Sequence, residues 1–197
     1  MIRVVGMGPG NIRYVTRSAV EAIEASRRIV AFGRIAKTAR QIAPEVIEVA
    51  SVTEIRQHLK PDIDTSILAS GDPCFFGIVE YLRKSGITVE EVVPGLSSFQ
   101  YLMCRLAKSW QDACFLSLHG REGAIEKILD RRLSILLTDR NHPPDSISKR
   151  LGSLGAKGRI WVGIDLSYPE EKIVRYRIGE SIRESGGIAL MVIEMDF

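Results

Sequence analysis

Short runs of β-branched residues alternate with amphipathic segments in the first half of the sequence, and no other feature constrains the fold as strongly. The apolar runs cover residues 2–5, 28–32, 46–49, 66–69 and 88–93. Between the runs, apolar side chains recur at helical spacing, as in Ala19, Ala22 and Ile23, which is typical of a helix with one buried face. Strands that alternate with helices build βαβ units, so the pattern predicts a mostly parallel sheet.

The second half repeats this rhythm after a predicted linker at residues 106–113. Its predicted strands cover 114–118, 133–138, 160–164, 172–177 and 188–194, and its predicted helices cover 124–129 and 144–151. Tyr168-Pro169 separates two consecutive strands, which predicts a hairpin and therefore a mixed second sheet. We expect two α/β domains, residues 1–110 and 111–197. Ligands of such sheets favour the carboxyl ends of strands, so we expect a ligand cleft between the domains.

Hydropathy and cysteine content narrow the class of protein. The longest stretch without a formal charge, residues 92–104, is shorter than the roughly 18–20 apolar residues of a membrane-spanning helix. The N-terminus lacks the apolar core of a secretion signal, and we therefore expect a cytoplasmic protein. Cys74, Cys104 and Cys114 lack zinc-ligand spacing. We predict neither a disulfide nor a metal site, and we expect all three cysteines to be buried.

The net charge of +3 is mild and is concentrated in the first half. Residues 1–110 carry 14 Lys and Arg against 11 Asp and Glu, whereas residues 111–197 carry 13 of each. No long block of like charge occurs, which argues against a nucleic-acid partner. The basic excess of the first half suits a small anionic substrate.

The first glycine-rich loop is not a dinucleotide fingerprint. Its sequence is Gly6-Met-Gly-Pro-Gly10, whereas that fingerprint is G-x-G-x-x-G, and Pro9 removes a backbone donor that a phosphate would need. The second strand ends in Ala31-Phe32-Gly33, without the acidic residue that binds a ribose. The loop is either a tight turn or a glycine-lined approach for a ligand without phosphate.

Other predicted strands end in loops with polar residues. Ser70-Gly-Asp-Pro73 follows the strand at 66–69, and Asp72 there is either a ligand contact or the cap of a helix beginning near residue 74. Pro94-Gly-Leu-Ser-Ser98 places hydroxyls at a helix N-terminus. His119 lies between Ser117 and Arg121 at the end of a strand, where it is either a structural histidine or a ligand contact.

These loops together resemble the tetrapyrrole (corrin and uroporphyrinogen) methylases, which use S-adenosylmethionine. The resemblance spans nearly the whole chain and rests on Val5-Gly-Met-Gly-Pro-Gly10, Ala69-Ser-Gly-Asp-Pro73 and Pro94-Gly-Leu-Ser-Ser98 in that order. In the second half, segments 116–121, 137–139 with 143–144, and 166–171 look like the branch that methylates C5 of a corrin-ring intermediate, cobalt-precorrin-7 or precorrin-6Y, in cobalamin biosynthesis. The resemblance implies two domains with the methyl donor in the cleft between them.

The resemblance also assigns residues to the donor and the substrate. The implied donor-binding positions are Pro9, Ser70, Gly71, Asp72, Phe75, Ser97, Ser98, Leu137, Thr138, Gly163 and Ala189. A corrinoid carries many carboxylates, so we expect substrate contacts at Arg13, Arg17, Ser117 and Arg121. A solvated surface is the alternative role for these arginines. His119 is the candidate general base.

Several expectations about partners and alternatives accompany this reading. In some relatives the domain is fused to a second methylase that acts at C15 and decarboxylates the ring. The 197-residue length leads us to expect a stand-alone form, with a separate C15 methylase as a candidate partner. We also expect a homodimer, by resemblance. The alternatives are a methylase of the same fold acting on a diphthamide precursor or ribosomal RNA, and a non-catalytic binding protein of this fold.

Overall fold

The protein forms two compact units, Met1–Tyr101 and Leu102–Phe197. A computed structural model describes residues 1–60, 62–118, 125–184 and 189–196. The division between the units falls inside a helix, a few residues before the predicted linker. The domain boundary at residue 110 stays a prediction.

Strands and helices alternate in the first unit, as the sequence predicts. The strands are β1 (Ile2–Gly6), β2 (Arg28–Phe32), β3 (Ile47–Val49), β4 (Thr65–Ala69) and β5 (Glu91–Val93). The helices are α1 (Arg17–Glu24), α2 (Gly33–Ala39), α3 (Val52–His58), α4 (Ile78–Lys84) and the beginning of α5 (Ser98–Arg105). All strand pairs in this sheet are parallel, in the order β3-β2-β4-β1-β5.

Both faces of the parallel sheet are covered. On one face, Val5, Leu68 and Val93 pack with apolar residues of α1 and α2. On the other face, Val4 and Ile67 pack with apolar residues of α3 and α4. Because successive side chains point to opposite faces of a strand, strands buried on both sides read as continuous apolar runs. This explains why the runs are so clear in the sequence.

The second unit contains a mixed sheet, as predicted. Its elements after α5 are β6 (Cys114–Ser117), β7 (Leu133–Leu137), α6 (Pro144–Ser153), β8 (Gly158–Ile164), β9 (Lys172–Arg177) and β10 (Ala189–Met195). The order is β6-β7-β10-β8-β9, with one parallel pair, β6 with β7. The strands β8 and β9 form the predicted antiparallel hairpin. Leu151 and Ile147 of α6 pack against one face of this sheet.

Two local expectations are wrong. The cysteines are not all buried, since Cys74 and Cys104 are exposed and Cys114 is half-buried. Cys104 is exposed because it follows the buried Leu102 and Met103 on α5 and points away from the face that they bury. Residues 125–128 form a single 3-10 turn in place of the predicted helix at 124–129, since β7 begins soon afterwards.

Over the described parts of the chain, no helix combines the length and apolarity needed to cross a bilayer.

Candidate functional site

Three loops leave the first sheet side by side. The strands β1, β4 and β5 end at Gly6, Ala69 and Val93, and β1 lies between the other two. Because all three strands are parallel, the loops emerge at the same edge. We call segments 6–10, 69–73 and 94–98 together the glycine edge.

The closest approach in the glycine edge joins the backbones of Gly6, Gly71 and Gly95. A methyl group built on Gly95 would lie 2.3 Å from the Gly71 carbonyl oxygen and 2.8 Å from the Gly6 Cα. A methyl group on Gly6 would lie 2.5 Å from the Gly95 nitrogen. These separations are shorter than real side chains make, so only glycine fits at positions 6 and 95.

The amides of the first loop are engaged by neighbouring carbonyls. The N–H of Met7 donates to the Ala69 carbonyl at 2.8 Å, and the N–H of Gly8 donates to the Gly71 carbonyl at 3.3 Å. The N–H of Gly71 donates back to the Gly8 carbonyl at 2.7 Å, and Pro9 has no N–H. A phosphate cradle needs several amides that point at the ligand. Residues 7–9 offer none, so this loop suits a ligand without phosphate.

Asp72 closes a turn in the second loop. Its Oδ1 accepts the N–H of Cys74 at 2.8 Å, and its carbonyl accepts the N–H of Phe75 at 3.2 Å. The helix α4 begins only at Ile78, so the alternative role of Asp72 as a helix cap is wrong. Its second carboxylate oxygen makes no hydrogen bond to a residue that the structure describes, and it is available to a ligand.

Aromatic rings join the second loop of the glycine edge to α5. The ring centroid of Phe75 lies 4.5 Å from that of Phe99 and 4.8 Å from that of Phe76. Ser97 is buried, and its N–H donates to the Gln100 side chain at 2.9 Å. This bond fixes the start of α5, because a glutamine at this position satisfies one of the amides that a helix leaves free.

A second group of residues lies in one row across the mixed sheet. Ser117 of β6 is paired with Leu137 of β7, Leu137 with Leu190 of β10, and Leu190 with Gly163 of β8. Paired residues point to the same face of a sheet. We call Ser117, Leu137, Leu190 and Gly163 the sheet row. It lies at the carboxyl ends of β6, β7 and β8.

Thr138, which follows the sheet row at the end of β7, is hydrogen-bonded to Ala189 at the start of β10. Its side chain is fully buried, and its hydroxyl donates to the Ala189 carbonyl at 2.8 Å. The N–H of Thr138 donates to the same carbonyl at 3.0 Å, and the N–H of Ala189 donates to the Thr138 hydroxyl at 3.2 Å. The backbone beyond β7 therefore has a fixed starting point.

The family model described as "Tetrapyrrole (Corrin/Porphyrin) Methylases" matches residues 1–181. The chain belongs to this family. The match covers both units, so the resemblance expected from the three loops is confirmed. A curated relative of this methylase is the cobalt-precorrin-7 C(5)-methyltransferase of Salmonella typhimurium. It is 29% identical over 182 residues, which are 88% of this chain and 89% of the relative.

Solved structures establish the fold of the methylase. The precorrin-6Y methylase of Archaeoglobus fulgidus aligns with a TM-score of 0.79 at 21% identity, over 100% of this chain and 99% of that one. The uroporphyrin-III C-methyl transferase of Thermus thermophilus, complexed with S-adenyl homocysteine, aligns with a TM-score of 0.78 at 22% identity, over 98% and 96% of the two chains. The expected tetrapyrrole methylase fold is confirmed.

The structure brings most of the predicted site residues of the methylase into two groups. Pro9, Ser70, Gly71, Asp72, Ser97 and Ser98 lie in the glycine edge, with Phe75 beside it. Ser117, Leu137 and Gly163 lie in the sheet row, with Thr138 and Ala189 next to it. The donor and substrate roles of these residues stay predictions.

Two of the predicted substrate arginines are described by the structure, and neither belongs to the glycine edge or the sheet row. Arg13 is exposed in a short 3-10 turn, and Arg17 is exposed and pairs with Glu21 at 2.8 Å. Arg121 and the candidate base His119 lie outside the described residues. Within the parts of the chain that are described, no three His, Cys, Asp or Glu side chains are grouped as metal ligands.

Sequence reasoning missed two features of the methylase. Gln100 completes a Ser-x-x-Gln pattern with Ser97, which is a known helix-start signal. The second is Asp139, whose carboxylate Oδ1 lies 3.0 Å from the His142 Nδ1. A carboxylate three residues before a histidine, just after a strand, is a weak pattern in a sequence, and the loop geometry alone makes it informative.

Proposed function

We propose that S-adenosylmethionine is the methyl donor of this methylase. The carrying observation is the glycine edge, where three loops meet with close backbone contacts, the N–H groups of Met7 and Gly8 are already bonded, and Pro9 has none. This donor has no phosphate, so it does not need the amides that the loop lacks. Its sulfonium group supplies a methyl cation equivalent to an electron-rich acceptor.

The proposed donor-binding residues follow the two groups of the site. In the first unit they are Pro9, Ser70, Gly71, Asp72, Phe75, Ser97 and Ser98. In the second unit they are Leu137, Thr138, Gly163 and Ala189. Phe75 is half-buried and packs on the buried Phe99, so the accessible part of its ring offers an apolar surface for a flat ligand ring. The Asp72 carboxylate offers an acceptor for ligand hydroxyl or amino groups.

The proposed reaction is methylation of C5 of a corrin-ring intermediate, cobalt-precorrin-7 or precorrin-6Y, in cobalamin biosynthesis. The support is the Salmonella typhimurium relative, which carries that activity in its name and matches across both units. Methyl transfer from a sulfonium is an in-line displacement that needs little acid–base help at the donor. Catalysis therefore comes mainly from positioning the two reactants and excluding water.

The test is direct. Purified protein is incubated with S-adenosylmethionine and cobalt-precorrin-7, and the corrinoid is analysed by mass spectrometry and NMR. We expect a mass gain of one methyl group, placed at C5. A protein that methylates a diphthamide precursor or ribosomal RNA instead would overturn the proposed substrate but not the methyltransferase activity.

We also propose that the protein is a homodimer with a cytoplasmic location. Sedimentation measures the oligomeric state, and cell fractionation measures the location.

Asp72→Ala is expected to weaken donor binding about tenfold while the fold persists. The free carboxylate oxygen would lose its bond to the donor, and a hydrogen bond to a charged group contributes about 1.5–3 kcal/mol, of which 1.4 kcal/mol corresponds to tenfold in Kd. Calorimetric titration with S-adenosylmethionine measures the change. Asp62→Ala, an exposed aspartate of the same unit, is the matched control. If both variants bind S-adenosylmethionine with equal affinity, Asp72 serves only to stabilise its turn and does not contact the donor.

A further inference from the structure

Charge balance requires a proton acceptor in the proposed reaction. The S–CH₃ bond of the sulfonium breaks and its electron pair stays on sulfur, while an electron pair of the ring carbon forms the new C–CH₃ bond. The positive charge thereby passes to the macrocycle. The macrocycle regains its original charge only when it releases one proton, so one proton leaves for each methyl group transferred. This inference rests on the proposed function.

His142 has the geometry of a proton acceptor. Its Nδ1 lies 3.0 Å from the Asp139 Oδ1, and the same oxygen accepts the N–H groups of Asn141 at 2.9 Å and His142 at 2.8 Å. The carboxylate is thus held by the backbone and holds the ring in turn. A neutral imidazole that donates Nδ1–H to a carboxylate carries its lone pair on Nε2.

The burial of the pair is uneven in a way that suits proton transfer. The Asp139 side chain is 13% exposed and the His142 side chain is 41% exposed. The carboxylate is therefore shielded, whereas part of the imidazole is open to a ligand or to water. A base that must accept a proton from a substrate and then pass it to solvent needs this arrangement.

The pair also stands at the proposed donor-binding end of the second unit. Asp139 directly follows Thr138, whose hydroxyl and N–H are both bonded to the Ala189 carbonyl. Since β7 ends at Leu137 in the sheet row and Thr138 follows it directly, the loop that carries His142 begins at a fixed point beside that row. His142 follows Thr138 by four residues along the chain, in the loop between β7 and α6.

We propose that His142 is the general base of the methylase, with Asp139 as its positioning residue. As the C–CH₃ bond forms, Nε2 of His142 takes the proton that the macrocycle releases, and the resulting imidazolium returns it to solvent. The Asp139 carboxylate holds the ring through Nδ1, so Nε2 is the nitrogen that takes the proton. The products are the methylated macrocycle, S-adenosylhomocysteine and one proton.

The three histidines of the chain provide a complete set of variants. His142→Ala, His119→Ala and His58→Ala are compared in single-turnover methyl transfer with cobalt-precorrin-7, with and without added imidazole. His58 ends α3 in the first unit and is the control. We expect His142→Ala to lower the rate about 100-fold, the scale of general-base catalysis, with unchanged donor affinity. Added imidazole should restore at least a tenth of the wild-type rate.

Each result decides the proposal. A His142→Ala rate within threefold of wild type overturns it, and so does a slow variant with unchanged melting temperature that imidazole does not rescue. Rescue of His119→Ala alone assigns the role to His119 and also overturns it. If wild-type protein transfers no methyl group to the corrinoid, the proposed function fails and this inference fails with it. The wild-type reaction therefore distinguishes that result from a failure of the inference alone.

The Asp139→Asn variant distinguishes a role of Asp139 in positioning the His142 ring from a role in stabilising the turn. The amide oxygen can still accept the N–H groups of Asn141 and His142, so the turn should survive, while the charge beside the ring is lost. We expect kcat to fall about tenfold with the KM for S-adenosylmethionine unchanged. A lower melting temperature with unchanged kcat would show that Asp139 serves the loop alone and would remove it from the proposal.

Discussion

Gly95→Ala is expected to lower the free energy of unfolding by about 3 kcal/mol and to abolish binding of S-adenosylmethionine. The new methyl group would meet the Gly71 carbonyl oxygen at 2.3 Å and the Gly6 carbonyl carbon at 2.8 Å. All of these are backbone atoms, so no side chain can rotate away. Relief requires the three loops of the glycine edge to separate, and that separation disrupts the proposed donor site.

Gly86→Ala is the control for this prediction. Gly86 follows α4, and a methyl group there has no neighbour within 4 Å. Its φ of +73° makes alanine unfavourable by about 1 kcal/mol through the backbone alone. Urea unfolding and calorimetric titration should show a small loss of stability with full donor affinity. If Gly95→Ala behaves like Gly86→Ala in both measurements, the proposed importance of the close glycine contact is wrong.

Gly158→Ala is expected to be equally severe in the second unit, with a loss of about 3 kcal/mol. Gly158 begins β8 opposite Met195 of β10, and its φ is +150°. A methyl group there would lie 2.1 Å from the Glu194 carbonyl oxygen and 3.0 Å from the Met195 Cα. The start of the pairing between β8 and β10 would have to open.

The matched control for Gly158 lies three residues away. Gly155 has a φ of +81° and no atom within 4 Å of an added methyl group. Gly155→Ala therefore keeps the backbone penalty and lacks the collision, so we expect a loss of about 1 kcal/mol. Urea unfolding of both variants, followed by circular dichroism, measures the difference. Equal urea midpoints of unfolding for the two variants would contradict the predicted steric clash at position 158.

The sequence predicted the strand–helix rhythm well because the strands of the first sheet are buried on both faces. Val4 and Val5 point in opposite directions and both are fully buried, so the run is apolar throughout and easy to recognise. The hairpin of β8 and β9 was predictable for a similar reason, since Tyr168-Pro169 interrupts two apolar runs with no helix between them.

The features that sequence reasoning missed depend on distances between remote parts of the chain. The motif around Gly95 marks it as part of a loop, but it does not show that Gly95 lies against the Gly71 backbone whereas Gly86 has open space. The exposure of Cys104 depends on which face of α5 is covered, and its residue type indicated the opposite. The pair of Asp139 and His142 depends on a loop conformation that residue spacing alone does not specify.

The position of β1 in its sheet has a consequence for folding. Ile2 pairs with Thr65, and Arg3 pairs with both Ser66 and Glu91, so the first strand of the chain has partners more than 60 residues away on both sides. Such distant pairings are slow to form because the chain must lose the entropy of closing a long loop before the strand contacts stabilise the pair. During synthesis, β1 must wait until residue 93 has emerged before both neighbours exist. The glycine edge therefore assembles as one late event, and its three loops become ordered together.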